Sequence, residues 1–298
     1  MGANLKEVRE RIKSVKSTQQ ITKAMKMVSA AKLRRAQQAI QQMRPYANKL
    51  NEMLINILSN LEGDAGTSYG VEREVKNAAV VVVTSNRGLC GAFNTNVIKG
   101  AVAKINADFA EQRKAGNLTI VCVGKKGYDY FKKRYQDCTI VTDYVNLFDD
   151  LAFDNVAEAS QMLMDGFKDE TYDAIFVSYG RFKNAAMQFA EVAQFLPVPK
   201  LEKKEGDKSA VRADYIFEPS KEALLEHLIP SILQTQFQKY LLDTHASEHG
   251  ARMTAMDKAT ENAEDMLKEL KITYNKARQE AITRELSEIV GGAAALEG

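Results

Sequence analysis

MTAMDKATENAEDMLKELKITYNKARQEA, residues 253–281, decides the fold. Met253, Met256, Thr260, Ala263, Leu267, Leu270, Tyr274, Ala277 and Ala281 follow one another at gaps that alternate between three and four. That spacing is the a/d seam of a coiled coil, because seven residues make almost two helical turns and return the same face each time. Upstream, Leu225, Leu228, Ile232 and Leu242 occupy the same two heptad positions. The helix is expected to start after Pro219 with Ser220 as N-cap and to run to about Val290. Pro230 and Gly250 are soft points within it, not stops. Roughly 72 helical residues span about 105 Å, which makes a rod, not a core element.

The partner lies at the other end of the chain. Residues 1–61 have no glycine after Gly2 and read as one helix. Ala36, Ile40, Met43, Ala47, Leu50, Leu54, Ile57 and Leu61 again alternate gaps of four and three. The two heptad positions continue backwards through Leu33 to Val15, Ile12, Val8 and Leu5. Pro45 should kink this helix without ending it, since the pattern holds on both sides. Between the apolar runs, seam positions carry Gln19, Thr22, Lys26 and Ser29, and the apolar set moves by one or two positions to Ile21, Met25 and Val28. One residue is about 100° of rotation, so this apolar face turns away from the partner helix. Either it meets something outside the pair or the seam is imperfect there; the first reading is preferred.

Charge points the same way. Residues 1–49 carry a net charge of +10 and residues 219–298 a net of −4, within a chain total of +2. Antiparallel helices with these biases attract, although two solvated faces with unrelated biases would look alike. In an antiparallel pair, facing residue numbers sum to a constant. A sum near 275 sets Leu5 against Leu270, Val8 against Leu267, Ile12 against Ala263, Leu33 against Leu242, Met43 against Ile232 and Leu50 against Leu225. That register gives the first helix the most apolar partners and is the expected one. Residues from about 271 would then project as a lone helix roughly 40 Å long. It would carry Ile282, Leu286, Ile289 and Val290, which need a sleeve.

The middle of the chain changes period. AAVVVVTS (78–85), LTIVCVG (118–124), CTIVTDY (138–144) and YDAIFVSYG (172–180) are short β-branched runs, separated by amphipathic stretches at 95–115, 125–134 and 154–168. Strand alternating with helix predicts a mostly parallel sheet under helical cover. AMQFAEVAQFLPV (186–198) reads as a later strand, antiparallel to the rest, residues 200–213 as a polar loop, and 62–74 as a glycine-containing junction. The plan is α/β plus coiled coil. An N-terminal shaft helix (1–61) and a C-terminal one (219–298) form an antiparallel coiled coil, with an inserted Rossmann-like α/β domain (75–215).

Candidate chemistry is thin. Asn86-Arg87-Gly88-Leu89-Cys90-Gly91 and Gly124-Lys125-Lys126-Gly127 follow strands and precede helices, where a phosphate loop would lie, but neither is GxGxxG or a P-loop. Tight strand-to-helix turns are the commoner explanation. The three histidines, His227, His245 and His249, all sit on the last helix. The string HASEH around the last two lacks the HExxH arrangement of a zinc protease. Cys90, Cys122 and Cys138 form no CxxC pair, which disfavours disulfides and zinc and suits a reducing compartment. Cys90 reads as a small buried residue. The N-terminus has no apolar signal core, Glu7 and Glu10 disfavour a transit peptide, and no window approaches 18 apolar residues. The basic first helix has no aromatic residue for base stacking before Tyr46, so nucleic acid is not expected. Neither cofactor, metal nor catalytic residue is expected.

Three stretches resemble one family. Arg11-Ile12 with Thr18-Gln19-Gln20-Ile21-Thr22-Lys23-Ala24-Met25-Lys26-Met27-Val28 resembles the opening helix of F-type ATP synthase gamma subunits, of the bacterial type. Arg87-Gly88-Leu89-Cys90-Gly91-Ala92-Phe93-Asn94 resembles their first strand-to-helix turn. Tyr274-Asn275-Lys276-Ala277-Arg278-Gln279, Ile282-Thr283-Arg284-Glu285 and Glu288-Ile289-Val290 through Gly292-Ala293 resemble their C-terminal signature. Asn86 stands where the family usually has Asp and Ser29 where Ala is common, and the inserted cysteine pair of chloroplast members is absent.

The resemblance implies a non-catalytic rotating central stalk that couples ion flow to ATP synthesis or hydrolysis. Its implied partners are the alpha and beta subunits of the catalytic hexamer, an epsilon-type subunit and a membrane c-ring. Association with the membrane would be peripheral, at the cytoplasmic face and only through the complex. Contacts with the hexamer are implied for Ile21, Met25, Val28, Arg252, Arg278, Gln279, Thr283 and Glu285, and the top of the hexamer is the implied sleeve. The competing reading is a coiled-coil scaffold carrying a nucleotide-sensing α/β domain.

Overall fold

A run of four valines forms a central strand because β-branched side chains pack well where both faces of a sheet are covered. In the computed structural model β1 (Ala78–Val83) is buried at every residue. The described residues are 5–59, 68–198 and 221–297, apart from the side chains at 51, 54–59, 221–225, 227 and 294–297. Ser220, Leu61, the loop at 200–213 and positions 62–67 of the junction lie outside them, as do the side chains of Leu54, Ile57, Leu225 and His227.

The elements run α1 (Leu5–Ser59), β1, α2 (Phe93–Asp108), α3 (Ala110–Lys114), β2 (Leu118–Val123), α4 (Lys125–Arg134), β3 (Thr139–Val141), α5 (Phe153–Lys168), β4 (Ala174–Phe182), β5 (Gln188–Leu196) and α6 (Lys221–Glu297). Pro45 and Pro230 lie inside α1 and α6, which continue through them. Two compact units result, Met1–Ser29 with Arg252–Gly298, and Ala30–Ala251.

In the larger unit the sheet order is β3-β2-β1-β4-β5. The first four strands are parallel, and β5 returns antiparallel to β4, with Val177 facing Ala193. Alternation along β1 divides the core. Ala79, Val81 and Val83 pack with Leu163 and Phe167 of α5 and with Leu233, Phe237 and Leu241 of α6. Ala78, Val80 and Val82 pack with Phe93, Val97 and Ile105 of α2 and Phe131 of α4. This is the expected Rossmann-like layering. A clamp that the sequence did not signal fixes the approach to β1. Arg73 Nη2 donates to the Phe167 carbonyl at 2.7 Å, and Asp173 Oδ2 accepts from the backbone N–H groups of Lys76 and Asn77 at 3.0 and 2.9 Å. Leu33, Ala36 and Leu50, three predicted seam positions of α1, are buried.

The smaller unit is a helix pair. Val8 on α1, and Met256, Ala263, Leu267 and Ala277 on α6, are buried at the predicted positions. The polar seam residues stay in the seam: Thr22 and Ser29 are buried, and Gln19 and Lys26 are half-buried. Three contacts fix the register. Arg9 Nη2 donates to Tyr274 Oη at 3.1 Å, the Thr22 and Thr260 hydroxyls meet at 2.8 Å, and Lys26 pairs with Asp257. The facing numbers therefore sum to 282 or 283. The expected sum of 275 is wrong by one heptad, and Leu5 lies level with Ala277, two turns beyond Leu270. Counting apolar pairs alone ignored the hydroxyls, which favour each other over an aliphatic neighbour once out of water. The unpaired tip is shorter as a result: side chains 282–293 are all exposed, whereas those near 271–281 lie along the pair.

Asp243, in α6 of the larger unit, offers a check on this packing. It is 7% exposed, and burial pushes its carboxyl up to about 6, partly opposed by Lys239, reinforced by Glu191 and opposed again by Arg181 and Arg44. Between about pH 4 and pH 6 the folded chain holds a proton that the unfolded chain has released, so stability falls as pH rises through that window. At neutral pH the charged form costs about 3 kcal/mol. Asp243→Asn should therefore raise the thermal midpoint near pH 7.5 and leave it unchanged near pH 4, measured by circular dichroism. A lower midpoint for the variant at neutral pH would show the carboxylate to be stabilising.

Candidate functional site

A doubly wound sheet binds ligands beyond its carboxyl edge, where the strand order reverses. Here that place lies between β1 and β4, and side-chain hydrogen bonds tie the loop that follows β1. Ser85 N–H donates to Asn94 Oδ1 at 2.9 Å, while Asn94 Nδ2 donates to Ser85 Oγ at 2.8 Å and reaches Cys90 Sγ at 3.2 Å. Asn94, on the first turn of α2, thus ties the loop that precedes it. The free N–H groups of a helix start are what a phosphate would need. Those of α4 are taken: Lys125 N–H by Asn86 Oδ1, Lys126 N–H by Ser85 O and Gly127 N–H by Thr84 Oγ1. Gly124 makes the approach possible. Its φ is +97°, and a Cβ there would sit 2.0 Å from the Thr84 carbonyl oxygen.

On the β4 side, Gly180 N–H donates to Thr244 Oγ1 at 3.1 Å and Gly180 O accepts from Ser247 Oγ at 3.0 Å, so α6 is bonded across the strand end. An open hollow nearby is lined by Asp143, Asp149, Asp150 and Glu158, carboxylates that repel a nucleotide's phosphates. Both glycine-containing turns are held by hydrogen bonds from within the chain.

The other chemical candidates resolve similarly. His245 and His249 face each other, Nε2 to Nε2, at 3.0 Å, and the His245 ring stacks near Phe148. Burial pushes the Cys122 thiol up to about 12 and raises Cys138 as well, which leaves neither a ready nucleophile. Among the described residues no three metal-binding side chains converge, and no helix is long and apolar enough to cross a membrane.

What the chain does expose is an apolar surface on its helices. In the helix-pair unit Ile21 is 57% and Val28 58% exposed, seven residues apart on one face of α1. Met25 between them is half-buried, so it borders the seam and is not fully turned out as expected. Met27, which the sequence pattern did not single out, is exposed at 61%. On α6, Arg278, Gln279, Thr283 and Glu285 are exposed, whereas Arg252 is buried. The tip presents Ile282, Leu286, Ile289 and Val290 to water, a stripe at helical spacing that nothing in the described chain covers. In the larger unit Leu89 stands exposed with a left-handed φ of +63°, another feature invisible to periodicity.

The described residues thus form a helix pair with an uncovered apolar tip and an α/β unit. The sequence profile of the family described as ATP synthase matches residues 4–296. The chain is 53% identical over 293 residues to the ATP synthase gamma chain of Cytophaga hutchinsonii, covering 98% of this chain and 99% of that one. To the ATP synthase gamma chain of Flavobacterium psychrophilum it is 54% identical over 296 residues, covering 99% and 100%. In fold it is similar to a chain of the Euglena gracilis mitochondrial ATP synthase in an OSCP/F1/c-ring cryo-EM structure, with a TM-score of 0.64, 24% identity, and 98% and 94% of the two chains covered. The chain belongs to the ATP synthase gamma-chain family.

Nucleotide binding by the isolated chain separates this assignment from a nucleotide-sensing scaffold. A ligand at one hundred times its Kd would stabilise the fold by about 2.7 kcal/mol. Millimolar ATP, with or without magnesium, should leave the thermal midpoint of the isolated chain unchanged. A clear upward shift, abolished by changing a residue of the 84–94 loop, would restore the sensing reading.

Proposed function

We propose that this chain is the rotating central stalk of an F-type ATP synthase, coupling ion flow through a membrane ring to ATP synthesis or hydrolysis in a catalytic hexamer. It is no catalyst itself and uses neither cofactor nor metal. Family membership gives the prior, and the observation that carries the mechanism is the uncovered apolar tip on a helix pair. A lone helix bearing Ile282, Leu286, Ile289 and Val290 is at ease only inside a sleeve. Rotation requires such a sleeve to hold the rod while making contacts weak enough to break at each step.

The division of labour follows the sequence. Residues 1–61 and 219–298 serve as shaft helices, and residues 75–215 as the domain that meets the c-ring and an epsilon-type subunit. Ile21, Val28, Arg278, Gln279, Thr283 and Glu285 touch the alpha and beta subunits through exposed side chains. Met25 joins them from the border of the seam. Arg252 has little surface to offer, and its share of the contact is correspondingly small. The chain binds no nucleic acid. It sits peripherally at the cytoplasmic face of a bacterial membrane, held there through the complex alone.

Copurification tests the reading directly. A tagged chain expressed in its native cell should bring down a hexameric ATPase, while the isolated chain hydrolyses no ATP. Hydrolysis by the pure chain that is lost on changing one of its own residues would sink the proposal.

A charge on the turned-out face tests the contact. Val28→Glu should shift the stability of the isolated chain by no more than about 0.5 kcal/mol, as an exposed substitution does. In the assembled enzyme it should cut ion pumping per ATP hydrolysed by about half or more, because the carboxylate must be desolvated against the hexamer. The two readouts are a denaturation midpoint and a pumping assay in vesicles. Pumping and hydrolysis that both stay at the unmodified level would remove Val28 from the interface.

A further inference from the structure

The helix-pair unit contains more apolar seam than is needed to define one register. With facing numbers summing to 275, Leu5 meets Leu270 and Val8 meets Leu267; with 282, Leu5 meets Ala277, Ile12 meets Leu270 and Val15 meets Leu267. Both arrangements give Leu5 and Ile12 aliphatic partners and bury apolar side chains over residues 5–15 of α1, so the hydrophobic effect alone does not choose between them. Yet the chain adopts the second.

Besides the exposed contact of Arg9 with Tyr274, the difference lies in four polar residues in or beside the seam. In the observed register Thr22 and Thr260 face each other at 2.8 Å, with Thr22 buried. Thr260 donates to the Met256 carbonyl at 2.7 Å, so the proton between the two hydroxyls comes from Thr22, in competition with its own contact to Gln19 O at 3.0 Å. One turn on, Lys26 pairs with Asp257. In the register one heptad shorter, Thr22 would face Met253 and Thr260 would face Val15, and Asp257 would move about 10 Å along the axis from Lys26. Slipping a heptad the other way sets Thr22 against Leu267. The first slip strands both hydroxyls among apolar side chains, the second strands Thr22 while Thr260 meets Ser29, and either parts the ion pair.

We infer that Thr22, Thr260, Lys26 and Asp257 form a register lock, positioning residues whose role is to select one of several apolar-compatible alignments of α1 and α6. A single polar layer in a coiled-coil seam is known to act this way, giving up some stability for a unique alignment. The lock also sets where the unpaired tip begins. Under the rotor reading it thereby fixes how far the tip reaches into its sleeve, a consequence that rests on the proposed function while the lock itself does not.

Cysteine pairs in the full-length chain, with Cys138→Ser to remove the half-buried native thiol, read the register without reference to activity. Ile12→Cys with Leu270→Cys joins residues level in the observed register, and Ile12→Cys with Ala263→Cys joins residues level only after a slip of one heptad. A displacement of about 10 Å exceeds what a disulfide spans. With the lock intact, the first pair should close on oxidation and the second should close only to a trace. With Thr22→Val, Thr260→Val, Lys26→Met and Asp257→Ala together, closure of the second pair should rise at least about threefold, since a near-degenerate register is then populated and trapped. The conservative Thr22→Ser with Thr260→Ser should keep the trace level, because the hydroxyls remain. If the four-residue variant retains its helix content and the second pair still closes only to a trace, the lock is overturned. The same follows if Thr22→Val with Thr260→Val alone, an arm that stands where the four-residue variant fails to fold, closes the second pair no more than Thr22→Ser with Thr260→Ser does.

Discussion

Two stripes of apolar side chains, each repeating at three and four residues, cannot both face water. Covering one with the other is the interaction on which the helix-pair unit depends. Val8 on α1, and Met256, Ala263 and Leu267 on α6, are buried because the opposite helix presents the same period. The covering is incomplete by composition, and the incompleteness has consequences. Where Thr22 and Lys26 enter the seam, α1 carries its apolar residues one position off, at Ile21 and Val28, and these remain exposed. Beyond the level of Leu5, where the described part of α1 starts, α6 carries Ile282, Leu286, Ile289 and Val290 uncovered by any described residue. Both surfaces that need an outside partner are thus made by the rule that builds the shaft.

The α/β domain illustrates the separation of fold from function. Its strand order and parallel pairing are those of nucleotide-binding sheets, while the first N–H groups of α4 and the Asn94 side chain on α2 are bonded within the chain. Thr84 Oγ1, Ser85 O and Asn86 Oδ1 cap α4, and Asn94 closes the first turn. Thr244 and Ser247 bond α6 to Gly180 at the end of β4. A sheet stiffened in this manner suits a domain that transmits force and not one that opens for a ligand.

Much of this was legible from periodicity. The valine run at 78–83, the amphipathic stretch at 125–134 and the long seams each sit in windows where one period dominates, and their elements begin and end within a few residues of expectation, except that α6 runs on to Glu297, about two turns past the expected end near Val290. The register was not legible, because a heptad slip still leaves Leu5 and Ile12 aliphatic partners. The meetings of Thr22 with Thr260, Lys26 with Asp257 and Arg9 with Tyr274 distinguish the alignments, and weighing the buried hydroxyls more heavily would have found the right one. Met25 shows the limit of reading rotation in whole residues, since a side chain on the border of the seam is half covered. The Arg73–Asp173 clamp and the buried Asp243 depend on pairings distant in sequence, which no local pattern reveals. The exposed signature residues Arg278, Gln279, Thr283 and Glu285 drew attention by resemblance alone, since their spacing is that of any solvated helix face.

The central claim is that the helix pair turns inside its sleeve as a unit. A probe attached through a cysteine at an exposed position of the α/β domain, in place of Gln136, on a hexamer fixed to a surface would report this directly. ATP should drive continuous rotation of the probe in one direction, stopping when ATP is exhausted. Sustained ATP hydrolysis by the same particles with the probe fixed, or moving back and forth without net rotation, would contradict the account.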